Sequence, residues 1–149
     1  MPTLTDATTD ITWAIYRLLE DNKEALGLRM VFDGDRSLVS ETPCISVIAG
    51  DKLRQLYATG LQTKVEFTVT LMLYHKRIQP EEVNEREVQE LAETIEDFLH
   101  LYPNQTLGGL VVFGMVTRVE PGYATRQTSV MRTTRMTWEA QSRASLPLS

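Results

Sequence analysis

Apolar and polar residues alternate with period two through positions 64–74, Lys-Val-Glu-Phe-Thr-Val-Thr-Leu-Met-Leu-Tyr. Val65, Phe67, Val69, Leu71 and Leu73 fall on one side of an extended chain; Lys64, Glu66, Thr68 and Thr70 fall on the other. The run is rich in β-branched and aromatic residues and holds neither Gly nor Pro, which predicts a strand with one buried face. At about 3.3 Å per residue it spans roughly 36 Å. That is close to the diameter of roughly 38 Å for a compact chain of this size. The strand crosses the whole domain, and the other elements are organised around it.

Two stretches switch to helical spacing. In 5–22, Ile11, Ala14, Ile15, Leu18 and Leu19 recur at i, i+3, i+4, i+7 and i+8, the stripe of a core-facing helix. Thr5, Asp6, Thr8 and Thr9 are candidate N-caps, and Asp6 and Asp10 suit the positive end of the helix dipole. Trp13 and Tyr16 flank the stripe, where they either seal the edge of the core or touch a partner subunit. A second helix is predicted over 80–102, opened by Pro80 and Glu81-Glu82 and stopped by Pro103-Asn104. Its stripe is Val88, Leu91, Ala92, Ile95, Phe98 and Leu99. Glu82, Glu85, Glu87, Glu90, Glu93, Glu96 and Asp97 cover most of the rest, with Glu82 and Arg86 spaced for an i,i+4 ion pair. That acidic side reads first as a solvated helix face and second as a docking surface.

The remaining runs are strands and turns. Gly27 ends the first helical region, 28–32 is a short apolar strand, Asp33-Gly34-Asp35 is a turn, and 37–42 is a polar loop. Residues 43–49 read as a buried strand with Pro43 tolerated at its start. Cys44 within it is a small core residue rather than a nucleophile, since no His or basic group lies nearby in sequence to activate it. The connection 50–60 is bracketed by glycines and carries Leu53, Leu56 and Tyr57. It is too apolar for a solvated loop, and reads as a loose hairpin arm or a short extra strand, packed on a neighbouring subunit or on its own core. Gly108-Gly109 leads into 110–119, apolar on both sides, which predicts a strand covered on both faces; Gly114 in its middle marks a bulge or a close backbone approach. Pro121-Gly122 is a predicted turn. The last strand runs over 126–143, with Val130, Arg132, Thr134, Met136 and Trp138 on one side and Met131, Thr133, Arg135, Thr137 and Glu139 on the other. The order predicts an α+β fold: one domain over 1–149, a mainly antiparallel β-sheet with two helices packed on one face, and a short polar tail at 144–149.

Composition adds few constraints. The 149 residues include 42% hydrophobic and 23% charged residues, ordinary for a globular protein with a single core. No apolar run approaches the roughly 20 residues of a membrane span. Met-Pro-Thr-Leu-Thr-Asp has neither a basic start nor an apolar stretch, so no signal peptide is expected. Cys44 is the single cysteine, which excludes an internal disulfide and fits a reducing cytoplasm. A net charge of −5 argues against tight nucleic-acid binding, although Arg118, Arg126, Arg132, Arg135 and Arg143, interleaved with Tyr123 and Trp138, form a local basic set.

Candidate chemistry is sparse. His75 and His100 belong to no metal-ligand spacing and read as surface residues at a strand end and a helix end. No nucleophile elbow, Walker loop or dinucleotide fingerprint occurs, and no cofactor, metal site or enzymatic activity is expected. Two readings without catalysis remain. One is a nucleic-acid-binding module carried by the arginine set. The other is an assembly subunit, whose closed ring requires two unlike patches per copy. The acidic helix face and the arginine-bearing last strand supply such patches. Leu53, Leu56, Tyr57, Arg118, Arg132 and Arg135 are the candidate subunit-interface residues.

The element order, with Pro-Cys-Ile-Ser-Val-Ile-Ala, Tyr-Ala-Thr-Gly, a strand ending Leu-Tyr-His, a Glu-rich helix, Leu-Gly-Gly-Leu-Val and a closing Thr-Trp-Glu-Ala-Gln-Ser-Arg, resembles the tail terminator (tail completion, minor tail or neck) proteins of long-tailed bacteriophages. The resemblance runs from the first helix to about Arg143. It implies a virion protein of the tail or neck, assembled in the host cytoplasm as a hexameric ring. Such a ring caps the tail tube, ends its polymerisation and meets the head connector, while DNA passes through the lumen without sequence-specific binding. It also implies an acidic or neutral inward surface, with Arg132 and Arg135 at subunit contacts. A head-completion or stopper subunit of the same junction is the alternative, and a tail tube subunit a further one.

Overall fold

The computed structural model describes residues 4–36, 39, 41–56, 62–78 and 84–145. Tyr57, the predicted helix start at Pro80–Glu82 with its Glu82–Arg86 pair, and the end of the tail at 146–149 lie outside the described residues. The fold is α+β. Five strands form one sheet in the order β1-β2-β3-β5-β4. They are β1 (Met30–Asp33), β2 (Cys44–Leu56), β3 (Gln62–Arg77), β4 (Phe113–Arg126) and β5 (Ser129–Ser145). Every pair is antiparallel except β1 with β2.

The long alternating strand is the centre of the sheet. Val65, Phe67, Val69, Leu71 and Leu73 are all buried on its inner side, as the pattern predicts. Helix α1 (Thr8–Asp21) buries Ile11, Ile15 and Leu19 against that side. It starts later than its threonines suggest. Thr5 stays outside and ties the lead-in, accepting from the Ala7 amide at 3.2 Å and donating to Asp10 at 2.8 Å. A single turn, α2 (Lys23–Leu26), follows and closes on Gly27, whose φ of 84° is the left-handed cap that glycine favours. Helix α3 (Glu85–His100) buries Val88, Ala92, Ile95 and Leu99 in the same core, and Asn84 caps it by accepting from the amides of Arg86 and Glu87. A 3-10 turn (Asn104–Gly109) then delivers the chain to β4.

Several expectations are resolved or corrected. Of the two readings of the 50–60 connection, its described part is a hairpin arm and not an extra strand: β2 continues through it to Leu56, paired with β3, with a bulge between Ala49 and Lys52. Gly50 permits the bulge, since a Cβ there would lie 2.5 Å from the Thr68 carbonyl oxygen. Pro121-Gly122 is not a turn. Both residues lie inside β4, opposite Thr134 and Thr133, and the chain reverses after Arg126 with Gln127 at φ 56°. Proline is tolerated there because β4 is an edge strand with no described strand on its outer side. Nor is the strand covered on both faces: Phe113 and Met115 stand on the uncovered part of the far face of the sheet and are exposed, as is Val119, while Val116 is buried. Gly114 is a close approach, as a Cβ would meet Trp138 Cζ2 at 2.4 Å.

Candidate functional site

The inner face of the sheet holds the main core, so the far face is where a large surface is left over. Its side chains line up in rows across the strands. One row runs Leu53, Glu66, Gln141, Phe113; the next runs Thr68, Glu139, Met115. Further down come Thr70, Thr137 and Arg118, then Met72, Arg135 and Glu120. Acids and bases interleave, with ion pairs at 3.0 Å between Lys64 and Glu66 and at 3.2 Å between Arg118 and Glu120. The upper part holds a trough of about 680 Å³, lined by polar residues such as Glu66, Thr68, Glu139 and Gln141 together with Leu53, Phe113 and Met115.

The lower part of the far face is covered. Cys44, Tyr74, Met131 and Val39 form a small second core there. The Tyr74 hydroxyl accepts from Arg126 at 2.7 and 3.1 Å and donates to Asp35 at 3.2 Å, which fixes the turn after β1 over the sheet. Burial raises the Tyr74 pKa, and Arg126 acts against it. Burial also pushes the Cys44 thiol up to about 12, so its thiolate is suppressed and the core reading of this cysteine holds.

On the helix side, one charged cluster locks α3 to the sheet. Arg132 is only 8% exposed and donates to both Glu85 carboxylate oxygens, at 3.0 and 2.7 Å, and to the Gly122 carbonyl at 2.8 Å. Its guanidinium lies 4.8 Å from the centre of the Tyr123 ring. The Arg132 hydrogen bonds hold the Glu85 carboxyl below its ordinary pKa, and Glu85 raises that of Arg132 in return. Beside them His75 shares a 2.7 Å hydrogen bond with Thr134 Oγ1. Burial first, then the Arg132 charge, push the His75 pKa down to about 4, while Glu85 acts the other way.

Of the sequence-derived interface residues, Leu53, Arg118 and Arg135 share the far face of the sheet, whereas Arg132 lies on the helix side. Leu53 is exposed where it lines the trough. Leu56 continues β2 opposite Thr63, and Tyr57 lies outside the described residues. Arg118 and Arg135 are exposed on the far face. Arg132 points to the opposite face from Arg135 and is engaged inside the chain, so the expectation of an outward contact through it is corrected: each of its three guanidinium nitrogens already donates to Glu85 or Gly122. The surface reading of both histidines is corrected too. His75 is buried, and half-buried His100 accepts from the Val116 amide at 2.9 Å through Nε2. Extending the period-two pattern one residue past Tyr74 would have placed His75 on the inner side with Leu73. Nothing local in the sequence marks Glu85 as the partner of Arg132.

Among the described residues no group of three or more His, Cys, Asp or Glu converges as a metal site, and no helix is long and apolar enough to cross a membrane. No protein-family model matches the chain, and no curated protein sequence matches it.

Proposed function

We propose that the chain is a structural subunit of a long-tailed phage virion: it forms a ring, taken as a hexamer, that caps the tail tube, ends its polymerisation and presents the surface to which the head connector joins. The observation that carries this reading is the two-faced sheet. One face holds both long helices and the main core, and the upper part of the other is open, rich in threonine, and lined by interleaved acids and bases. A surface around a DNA passage must not retain phosphates, and acids such as Glu66 and Glu139 set among the bases prevent a continuous basic track. The resemblance of the element order to that of tail terminators adds to the argument, and so does the presence of two unlike lateral edges, which a head-to-tail ring requires.

Electron microscopy of particles produced without this protein tests the reading. Overlong tails unattached to full heads are the expected result. Full heads that leak DNA beside tails of normal length would reassign the chain to the head side of the junction, and normal particles would overturn a virion role.

A further inference from the structure

The two lateral flanks of the subunit carry unlike apolar surfaces on the same side of the sheet. On one flank, α1 packs over β1 and β2. Its Ala14 and Leu18 face the 3-10 turn, where they line a groove with Pro103 and Leu107. At 100° per residue, Tyr16 is then turned away from that turn, toward the β1 edge. Trp13, at the outer margin of this flank about 160° from the buried stripe at 100° per residue, stacks on Tyr16 with ring centres 5.3 Å apart, yet stays 53% exposed. A tryptophan held in place by a neighbour and left bare is an unusual expenditure of apolar surface.

The opposite flank is β4. Beyond the bulge between Val116 and Arg118, Val119, Pro121 and Tyr123 stand opposite Met136, Thr134 and Arg132, so they project on the helix side of the sheet. All three are exposed, with Tyr123 at 63%. They form a largely exposed apolar strip, with the Tyr123 ring resting on the Arg132 guanidinium at its lower end.

Strand directions make these flanks compatible. β1 runs with β2, and each later neighbour in the sheet reverses, so β4 is antiparallel to β1. The heights agree as well. Met30 shares a row with Cys44, Tyr74, Thr133 and Gly122, and Asp33 shares one with Val47, Leu71, Met136 and Val119. A second copy set beside the first without being turned over brings its β1 antiparallel to β4 with no stagger, and keeps the helices of both copies on one side. Because β1 has four residues, a main-chain ladder between copies is short. Side chains must supply most of the contact.

We infer that a second copy of this chain docks head to tail, with the Trp13–Tyr16 flank of α1 and the β1 edge of one copy against the Val119–Pro121–Tyr123 strip of the other. The inference rests on the self-assembly part of the proposed function and names the surfaces that carry it. The contact is heterologous, so each copy offers one flank of each kind and the chain of contacts can close into a ring.

Sedimentation velocity on the full chain tests it, with Trp13→Asp and Val119→Asp made singly and then mixed in equal amounts. Thermal melts by circular dichroism check folding, and Val119→Lys replaces the aspartate variant if that melts early. Wild type is expected to assemble. Each variant alone should be monomeric, with association weakened about thirtyfold or more, the scale of an aromatic hot spot. The mixture should form dimers, because Trp13→Asp keeps an intact β4 strip and Val119→Asp keeps an intact α1 flank. A variant that assembles like wild type, a mixture that stays monomeric, or a wild type that never associates would overturn the inference. Assembly of wild type and variants alike would leave the ring reading standing without this contact. If both variants break the assembly but particles lacking the protein have normal tails, the contact stands and the tail role falls.

Discussion

Acidification is expected to loosen this fold through His75. The imidazole is 5% exposed and hydrogen-bonded to Thr134. The charged groups facing it are Arg132 from β5 and Glu85 from α3. Burial and the Arg132 charge bring its pKa down to about 4 in the folded protein, whereas a free imidazole titrates near 6.5. Between these values the unfolded chain binds a proton that the folded protein refuses. The unfolded state therefore gains as pH falls, and stability present above about pH 6.5 is lost progressively down to about pH 4. The gap corresponds to roughly 3 kcal/mol, a large share of the ordinary stability of a domain. Glu85 acts in the same direction, because Arg132 holds its pKa low and protonation ends the pair. Urea unfolding of wild type and His75→Gln at pH 7, 5.5 and 4.5 isolates the histidine. The glutamine can still hydrogen-bond Thr134 but does not titrate, and all other groups contribute to both proteins. Wild type should lose roughly 2–3 kcal/mol more than the variant across that range. Parallel pH profiles would refute the buried, neutral assignment of His75.

Three further substitutions probe the sheet. Gly114→Ala places a methyl where Trp138 Cζ2 and the Gln105 carbonyl already stand, at 2.4 and 3.2 Å; a cost of about 1–3 kcal/mol is expected, read as a lower Tm with altered tryptophan emission, and an unchanged Tm would show that the approach is not tight. Arg132→Glu removes three hydrogen bonds and sets a second carboxylate beside Glu85, so it should cost about 3–5 kcal/mol, while Arg135→Glu on the exposed face should stay within about 0.5 kcal/mol; chemical denaturation that ranks the two equally would contradict their placement on opposite faces.

The long strand, both long helices and the buried stripes of each were legible in the sequence. Period-two and 3.6-residue spacing report which side of an element is buried, and that is decided within the element itself. Cys44 as a core residue followed from the same local cues, and for Gly114 they narrowed the choice to a bulge or the close approach that is found. Position within the sheet did not. Pro121-Gly122 has the local composition of a turn, and only the edge place of β4 lets it continue a strand. The apolar 110–119 run implied cover on both faces, but no described second layer covers the far face there, and Phe113 and Met115 stay bare. Arg132 looked like an outward interface residue by its type, but a carboxylate 47 positions away claims it. The sequence by itself determined which elements form and which of their sides turn inward. Only the tertiary structure decided which strands become edges, which flanks stay uncovered and which charges are paired, because those depend on contacts between segments whose separation along the chain leaves no local periodicity to read.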